Sequence, residues 1–177
     1  MNLAEAIISK NAEKHPYKSA VGFKKKEGWK ELSWKKFSEI IYKTANALKN
    51  NGVAENDKVA IYADNSAEWL IFDLAAMSIG AITIPIYSTN NAEQAEFILK
   101  DSGAKIVLVG DQTQYDGCLE ILKKEERDYE WFRALFAFMQ GHLTKVLFPE
   151  EIRQRPKLSK YDQSILVVSE KWSRVDV

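Results

Sequence analysis

Side chains able to do chemistry are sparse in this sequence, and their spacing does not bring them together. His15 and His142 lie far apart, and no His-x-x-x-His pair occurs, so a helical pair of zinc ligands is not expected. Cys118 is the single cysteine, which excludes an intramolecular disulfide and a cysteine-based zinc site. A chain that uses cysteine so sparingly is expected in a reducing, cytoplasmic compartment. Cys118 falls in a predicted amphipathic helix with nothing nearby in sequence to stabilise a thiolate, so a half-buried packing role is expected. His15 precedes Pro16 at a helix end, where a C-terminal capping role is expected. The acidic pairs Glu125–Glu126 and Glu150–Glu151 are adjacent in sequence. Neighbours on a helix or strand do not face each other, so these make poor acid/base couples. On these grounds no residue is assigned a catalytic role.

Phosphate chemistry needs a loop rich in backbone donors. The eight glycines are scattered, and Gly103, Gly110 and Gly117 are not expected to form a cradle. No Gly-x-Gly-x-x-Gly and no Walker motif is present, so no cofactor-binding and no metal-binding residue is assigned.

Composition narrows the classes further. Lys plus Arg equals Asp plus Glu at 25 each, which gives no overall basic field for nucleic acid. The start, Met-Asn-Leu-Ala-Glu-Ala, lacks the basic and apolar regions of a secretory signal. The most apolar stretch, Trp69 to Gly80, is interrupted by Asp73 and Ser78. It falls short of the roughly 20 apolar residues of a membrane span. A soluble globular chain with room for one ordinary domain is expected.

The elements follow from periodicity and punctuation. Leu3, Ala6, Ile7 and Ala12 share a helix face, and Pro16 should end that helix. Ala20–Phe23 and Trp29–Leu32 read as strands of a hairpin turning through Lys24–Gly28. Ser33 is placed to cap a helix whose apolar face is Phe37, Ile40, Ile41, Thr44, Ala45 and Leu48, with Gly52 beyond its C-terminus. The exposed face, with Lys35, Lys36, Glu39 and Lys43, reads as solvated. Val59–Tyr62 is a strand. Asn65 and Glu68 have capping-box spacing for a helix reaching about Ile79, apolar nearly all round and so mostly buried. Ala81–Ile86 is a second strand, and Pro85 requires it to be at an edge or near a terminus. Asn91 and Gln94 open another helix, closed by Gly103. Ile106–Val109 is a third strand and Thr113–Lys124 a further helix. Three strands, each a helix and two short loops apart, predict an α/β fold with a parallel βαβαβ core behind an N-terminal helix and hairpin. Trp69, Asn65, Ser66 and Tyr87 are expected to serve structure rather than ligand contact. Beyond Lys124, the stretch Arg127–Leu143, with Trp131, Phe132, Leu135, Phe136, Phe138, Met139 and Leu143, reads as a strongly apolar helix in an α-rich tail. A turn between Pro149 and Pro156 and a strand at Ile165–Val168 are also expected.

The segment Lys58-Val-Ala-Ile-Tyr-Ala-Asp-Asn-Ser-Ala-Glu-Trp69, with Leu74-Ala-Ala-Met-Ser-Ile-Gly80-Ala-Ile-Thr-Ile-Pro85-Ile-Tyr87-Ser-Thr, resembles the AMP-forming acyl-CoA synthetases of the adenylate-forming family. The likeness is to the long-chain fatty acid–CoA ligases. The helix and strand Gln94–Val109 and the earlier Trp34-Lys-Lys-Phe37 helix fit the same pattern, which covers about residues 1–124.

The resemblance implies a two-step reaction. ATP and a fatty acid give acyl-adenylate and pyrophosphate, and coenzyme A then gives acyl-CoA and AMP, with magnesium as the cation. The family's Ser/Thr/Gly-rich motif ending in Pro-Lys-Gly, its Tyr-Gly-x-Thr-Glu segment and its C-terminal lysine are not found in the 177 residues, and its acyl pocket is built largely by later residues. The chain is therefore expected to be an N-terminal portion, residues 1–124, followed by a tail of unrecognised origin, 125–177. It is expected to be inactive alone, with ATP, magnesium, CoA and fatty acid engaged only by the full-length member. The alternative expectation is a non-catalytic module binding a protein or an acyl chain, with self-association through exposed apolar surface. Neither nucleic acid nor a transmembrane segment is expected.

Overall fold

The structure, a computed structural model, describes residues 3–25, 28–124, 134–139 and 142–147. The elements run α1 (Leu3–Lys14), β1 (Ser19–Lys25), β2 (Gly28–Ser33), α2 (Trp34–Asn50), β3 (Lys58–Tyr62), α3 (Ala67–Ser78), β4 (Ile82–Ile86), α4 (Ala92–Ser102), β5 (Ile106–Val109), α5 (Gln112–Lys124), β6 (Ala134–Met139) and β7 (His142–Leu147). The chain forms two compact units, Met1–Asn56 with Asn65–Ile82, and Asp57–Asp64 with Thr83–Val177.

The first unit is three helices and a hairpin. α1, α2 and α3 pack on one another, and the hairpin lies against α2 and α3. Helix α2 begins where the sequence predicts: Ser33 Oγ accepts from the Lys36 N–H at 3.3 Å. This satisfies one of the donors that a helix start leaves open. Its buried face is Phe37, Ser38, Ile41, Thr44, Ala45 and Leu48, the expected stripe with Ser38 added and Ile40 at its margin. The two hydroxyls on this face return to the backbone, Ser38 Oγ donating to Lys35 O and Thr44 Oγ1 to Ile40 O, each at 2.9 Å. Gly52 takes the left-handed conformation beyond the helix. Helix α3 starts one residue later than its spacing suggests. Ser66, not Asn65, is the N-cap, its Oγ accepting from the Trp69 N–H at 3.0 Å. Both residues are good caps. The predicted burial of α3 holds for Ala67, Ile71, Phe72, Ala75 and Ala76, while Trp69 is half-buried and Met77 exposed.

The second unit is a sheet of order β4-β3-β5-β6-β7. β3, β5 and β6 are parallel, with Val59 opposite Ile106 and Ile106 opposite Ala134. Every residue of β5 is buried, as its unbroken apolar run requires. β4 is the edge strand, which is where Pro85 can sit without removing a ladder donor. One face of the sheet carries a continuous core of Ala60, Tyr62, Ile86, Val107 and Val109 against Ala95, Leu99, Tyr115, Cys118 and Ile121 of α4 and α5. Full burial of a leucine or isoleucine side chain contributes roughly 1.5–3 kcal/mol, so this face anchors both helices. Helix α4 has the predicted capping box, Asn91 with Gln94, and the predicted left-handed Gly103 at its end. At the amino ends of β3 and β5, Lys105 pairs with Asp57 and the Lys105 N–H donates to Lys58 O at 2.9 Å.

The expected aromatic helix is a correction. Residues 134–139 are strand β6, parallel to β5, and residues 142–147 are strand β7, antiparallel to β6. Ala-Leu-Phe-Ala-Phe-Met is compatible with either period. The exposed ladder of β5 decides it, because an unpaired buried strand edge would leave amides and carbonyls without partners. The first part of that predicted helix, Arg127–Arg133, and the expected turn and strand after Pro149 lie outside the described residues.

Candidate functional site

In open parallel sheets, ligands meet the protein beyond the carboxyl ends of the strands. Three loops converge there in the second unit: Ala63–Asp64 after β3, Tyr87–Asn91 after β4, and Gly110–Asp111 after β5. The Tyr62 hydroxyl at the end of β3 donates to the carbonyl of Asn90 in the β4–α4 loop. The Gly110 N–H donates to Tyr62 O at 3.1 Å, so the ends of β3 and β5 are locked side by side. The two chains approach so closely that a Cβ on Gly110 would stand 2.7 Å from Ala63 Cβ and 3.1 Å from Ala63 Cα.

The centre of this cluster is Gln114, buried to 3% exposure on the first turn of α5. Its Oε1 accepts from the Gly110 N–H at 3.0 Å and the Asp111 N–H at 3.2 Å. Its Nε2 donates to Ser88 O at 3.5 Å. Asp111 Oδ1 returns the favour to the helix, accepting from the Gln114 N–H at 2.8 Å. One carboxamide thus ties the β5–α5 turn to the β4–α4 loop. Neither Asp111 nor Gln114 was singled out by the sequence reading. The signal was there: Asp-x-x-Gln is the same capping-box spacing as Asn91–Gln94.

Several of the N–H groups at this edge are already engaged within the chain. A helix N-terminus attracts an anion when its N–H groups are open. At α5 the Asp111 carboxylate takes the Gln114 N–H, and the Gln114 carbonyl takes the Gly110 and Asp111 N–H groups just before the helix, and at α4 Asn91 Oδ1 accepts from the Gln94 N–H at 2.9 Å. Gly103, Gly110 and Gly117 stand at three separate places: the end of α4, the end of β5 and the body of α5. Among the described residues no group of three or more His, Cys, Asp or Glu side chains is close enough to hold a metal ion. His15 is an exposed residue after α1, its N–H donating to Asn11 O at 2.8 Å. Ser66 caps α3, Asn65 is exposed, and Tyr87 is 82% exposed. Tyr87 therefore contributes to the loop through its carbonyl, which accepts from the Asn90 N–H at 3.0 Å, and not through packing of its ring. Glu125–Glu126 and Glu150–Glu151 lie outside the described residues.

Cys118 is buried to 2% exposure, deeper than the half-buried position expected. Burial pushes its thiol up to about 12. Burial, followed by Asp116, also raises Tyr115, and burial, followed by Cys118 and Asp111, raises Tyr62. A thiol whose folded value exceeds its unfolded value contributes stability that is complete below the unfolded value, near 9, and is lost as pH climbs from there toward 12. We expect no reaction of the native chain with a disulfide thiol reagent at pH 8. Full reaction is expected once denaturant unfolds the chain, and a falling urea midpoint is expected above pH 9. Prompt labelling of the native chain at pH 8 would contradict the buried position.

Residues 8–155 match the family described as AMP-binding enzyme, more than half of the chain. The chain belongs to that family. Relatives within the AMP-binding enzymes include the long-chain-fatty-acid–CoA ligase ACSBG1 of Rattus norvegicus, 32% identical over 105 residues, which are 59% of this chain and 15% of that protein. The long-chain-fatty-acid–CoA ligase FadD15 of Mycobacterium bovis is 35% identical over 79 residues, 45% of this chain and 13% of that protein. The chain thus spans about 15% of the length of the first of these relatives. The crystal structure of the N-terminal domain of FACL13 from Mycobacterium tuberculosis shares the fold, with a TM-score of 0.67 at 21% identity over 77% of this chain and 34% of that one. A putative long-chain-fatty-acid CoA ligase from Rhodopseudomonas palustris gives a TM-score of 0.64 at 25% identity, over 80% of this chain and 34% of that one. The family match runs past residue 124, through the two strands that complete the sheet.

Proposed function

We propose that this chain is the opening, sheet-forming portion of an AMP-forming long-chain fatty acid–CoA ligase, and that its 177 residues do not by themselves carry out adenylation. The overall reaction of such a ligase converts ATP, fatty acid and CoA to acyl-CoA, AMP and pyrophosphate. The single observation carrying the second half of the proposal is the closure of the carboxyl edge. Where a nucleotide would need open donors, the N–H groups of Gly110 and Asp111 are held by Gln114, and α5 is capped by a carboxylate. A triphosphate brought there would meet the Asp111 carboxylate, which repels it. The part this edge plays is geometric: Tyr62, Gly110 and Gln114 hold three loops in a fixed arrangement against which other parts of a ligase can be built.

The test is acyl-adenylate formation from ATP, magnesium and a long-chain fatty acid, read as pyrophosphate release or as acyl-hydroxamate. The expected result for the purified chain is no turnover above the protein-free blank. Turnover within about a hundredfold of a typical enzyme rate of ~10 per second would refute the proposal. The rival reading, a protein- or acyl-chain-binding module, rests on exposed apolar surface and on an aromatic helix at Trp131–Leu143, the second of these grounds being the one the fold bears on. Within the described residues that stretch is β6 and the start of β7, so its motivation is weaker. We retain the reducing cytoplasmic setting as part of the proposal, on the strength of the single buried thiol. Among the described residues no helix is long and apolar enough to cross a membrane.

A further inference from the structure

Asn51–Gly52 is the one Asn-Gly pair in the sequence, and it stands at the C-terminus of α2 in the first unit. Asparagine followed by glycine is the pair best disposed to lose its side-chain amide. Glycine has no Cβ to obstruct approach, so its backbone nitrogen can reach the asparagine Cγ. The same pair also suits a helix ending, where glycine takes the left-handed position. The fold uses it in this second way. Asn51 is the C-cap, with φ −95° and ψ 17°, and Gly52 follows at φ 81°. The Gly52 N–H donates to Lys49 O at 2.9 Å and the Val53 N–H to Leu48 O at 3.0 Å, the two crossed bonds of a Schellman ending. Leu48 and Val53 hold the positions whose apolar contact accompanies that ending, and both are buried.

Each of these contacts works against loss of the amide. The nucleophile would be the Gly52 nitrogen, whose N–H is held by Lys49 O. The leaving group would be Asn51 Nδ2, which donates to Ala47 O at 2.8 Å. Ring closure needs the Gly52 nitrogen and the Asn51 Cβ on the same side of the Cα–C bond. At a ψ of 17° they stand on nearly opposite sides. We propose that Asn51 is a self-modifying site, held closed by the C-terminal turn of α2 and converted from the open state of that turn. The chemistry needs only water. A solvent base takes the Gly52 amide proton, the nitrogen bonds to Asn51 Cγ, and the Cγ–Nδ2 bond breaks with release of ammonia. Water then adds to either carbonyl of the succinimide and cleaves its bond to nitrogen, leaving aspartate or isoaspartate at position 51. Neither product restores the ending. Both lose the amide that donates to Ala47 O, and both place a carboxylate at the negative end of the helix. Isoaspartate also lengthens the main chain by one methylene, which carries the Gly52 and Val53 N–H groups off their acceptors. The conversion is therefore one-way, and it accumulates with the time the turn has spent open. This goes beyond the ligase reading and stands independently of it.

The experiment incubates the purified 177-residue chain at pH 8, in buffer and in guanidinium chloride, and needs no substrate. The tryptic peptide 50–58 is followed by mass spectrometry for a gain of about one mass unit, and fragmentation assigns it among Asn50, Asn51 and Asn56. In denaturant Asn51 should convert well ahead of Asn50 and Asn56. In buffer its conversion should be slower by roughly tenfold or more, because only the open fraction reacts. Val53→Ala should raise the rate in buffer roughly tenfold, the scale of two buried methyl groups lost, and should match the parent in denaturant. Ile8→Ala truncates another buried residue of the same unit, on α1. It leaves the α2 ending intact, so its rate in buffer should stay within about twofold of the parent. Far-ultraviolet circular dichroism confirms that each variant is folded under the assay conditions, and the comparison of buffer with denaturant on the parent chain stands without the variants. Equal rates in buffer and denaturant overturn the proposal, as does faster conversion at Asn50 or Asn56. So does a folded Val53→Ala chain that reacts at the parental rate, or an equal acceleration by Ile8→Ala, which would make the whole unit the gate and not this turn.

Discussion

Gly110→Val is expected to lower the stability of the chain by about 2–3 kcal/mol, the upper range for overpacking a close contact. It should appear as a reduced urea midpoint with an unchanged slope. Glycine is required here by proximity rather than by backbone conformation. A Cβ would meet Ala63 Cβ at 2.7 Å, Ala63 Cα at 3.1 Å and Gln114 Oε1 at 3.2 Å. The first two belong to the continuation of β3, which is held in register with β5 from Val59 to Tyr62, so the neighbour cannot yield without shifting a strand. The third is the oxygen that accepts from Gly110 and Asp111. Displacing it loses the bonds to both N–H groups, the Gly110 N–H keeping its bond to Tyr62 O at 3.1 Å, at a cost of roughly 0.5–1.5 kcal/mol per bond. Gly117→Ala is the matched control. Its Cβ, on α5, would make an ordinary 3.5 Å contact with Ala92 Cβ of α4, and alanine is the better helix former by roughly 1 kcal/mol. That variant should be neutral or stabilised. Equal midpoints for the two variants would show that the ends of β3 and β5 are not in contact as described. In a ligase built on this sheet, the same Gly110 change should disturb the carboxyl-edge loops before it disturbs the hydrophobic core, because Tyr62, Ala63 and Gln114 are the first groups displaced.

Much of this fold was legible because local and long-range signals agree. The Asn91–Gln94 box, the left-handed Gly103 and the apolar run at Ile106–Val109 each specify one element, and each was found where it was expected. Pro85 called for an edge or a strand terminus because it lacks the N–H that an interior strand must donate, and its strand is at the edge. The misreadings fall where two choices are nearly degenerate. Asn65 and Ser66 are both competent caps, and a single residue of register separates them. Residues 134–139 carry apolar groups at both helical and strand intervals, and only the vacant edge of β5 tells them apart. The loop cluster at Tyr62, Gly110 and Gln114 was the least legible. Its members are far apart in sequence, and a glutamine on a helix reads as a surface residue until a turn folds over it. That Gln114 is buried follows from its three backbone partners, two of which lie within four residues and one 26 residues away.

Phe72→Ala is expected to be the most damaging single change in the first unit, lowering stability by about 3–5 kcal/mol. Phe72 lies on α3 with 1% exposure, so its ring is surrounded and truncation leaves a void that fixed helices cannot close. The loss combines the transfer of the ring to water with the contacts its neighbours forfeit. Met77 lies five residues further along the same helix but is 45% exposed. Met77→Ala removes an unbranched side chain from a wet position and replaces it with the best helix former, so a change within about 0.5 kcal/mol is expected. Both residues appear in the sequence within the same strongly apolar stretch, Trp69 to Gly80, and hydrophobicity alone would rank them alike. The urea midpoints of the two variants therefore test burial and not composition. A Phe72→Ala chain as stable as Met77→Ala would mean that α3 presents a different face from the one described. That outcome would also remove the support behind the hairpin, because β1 lies against α3.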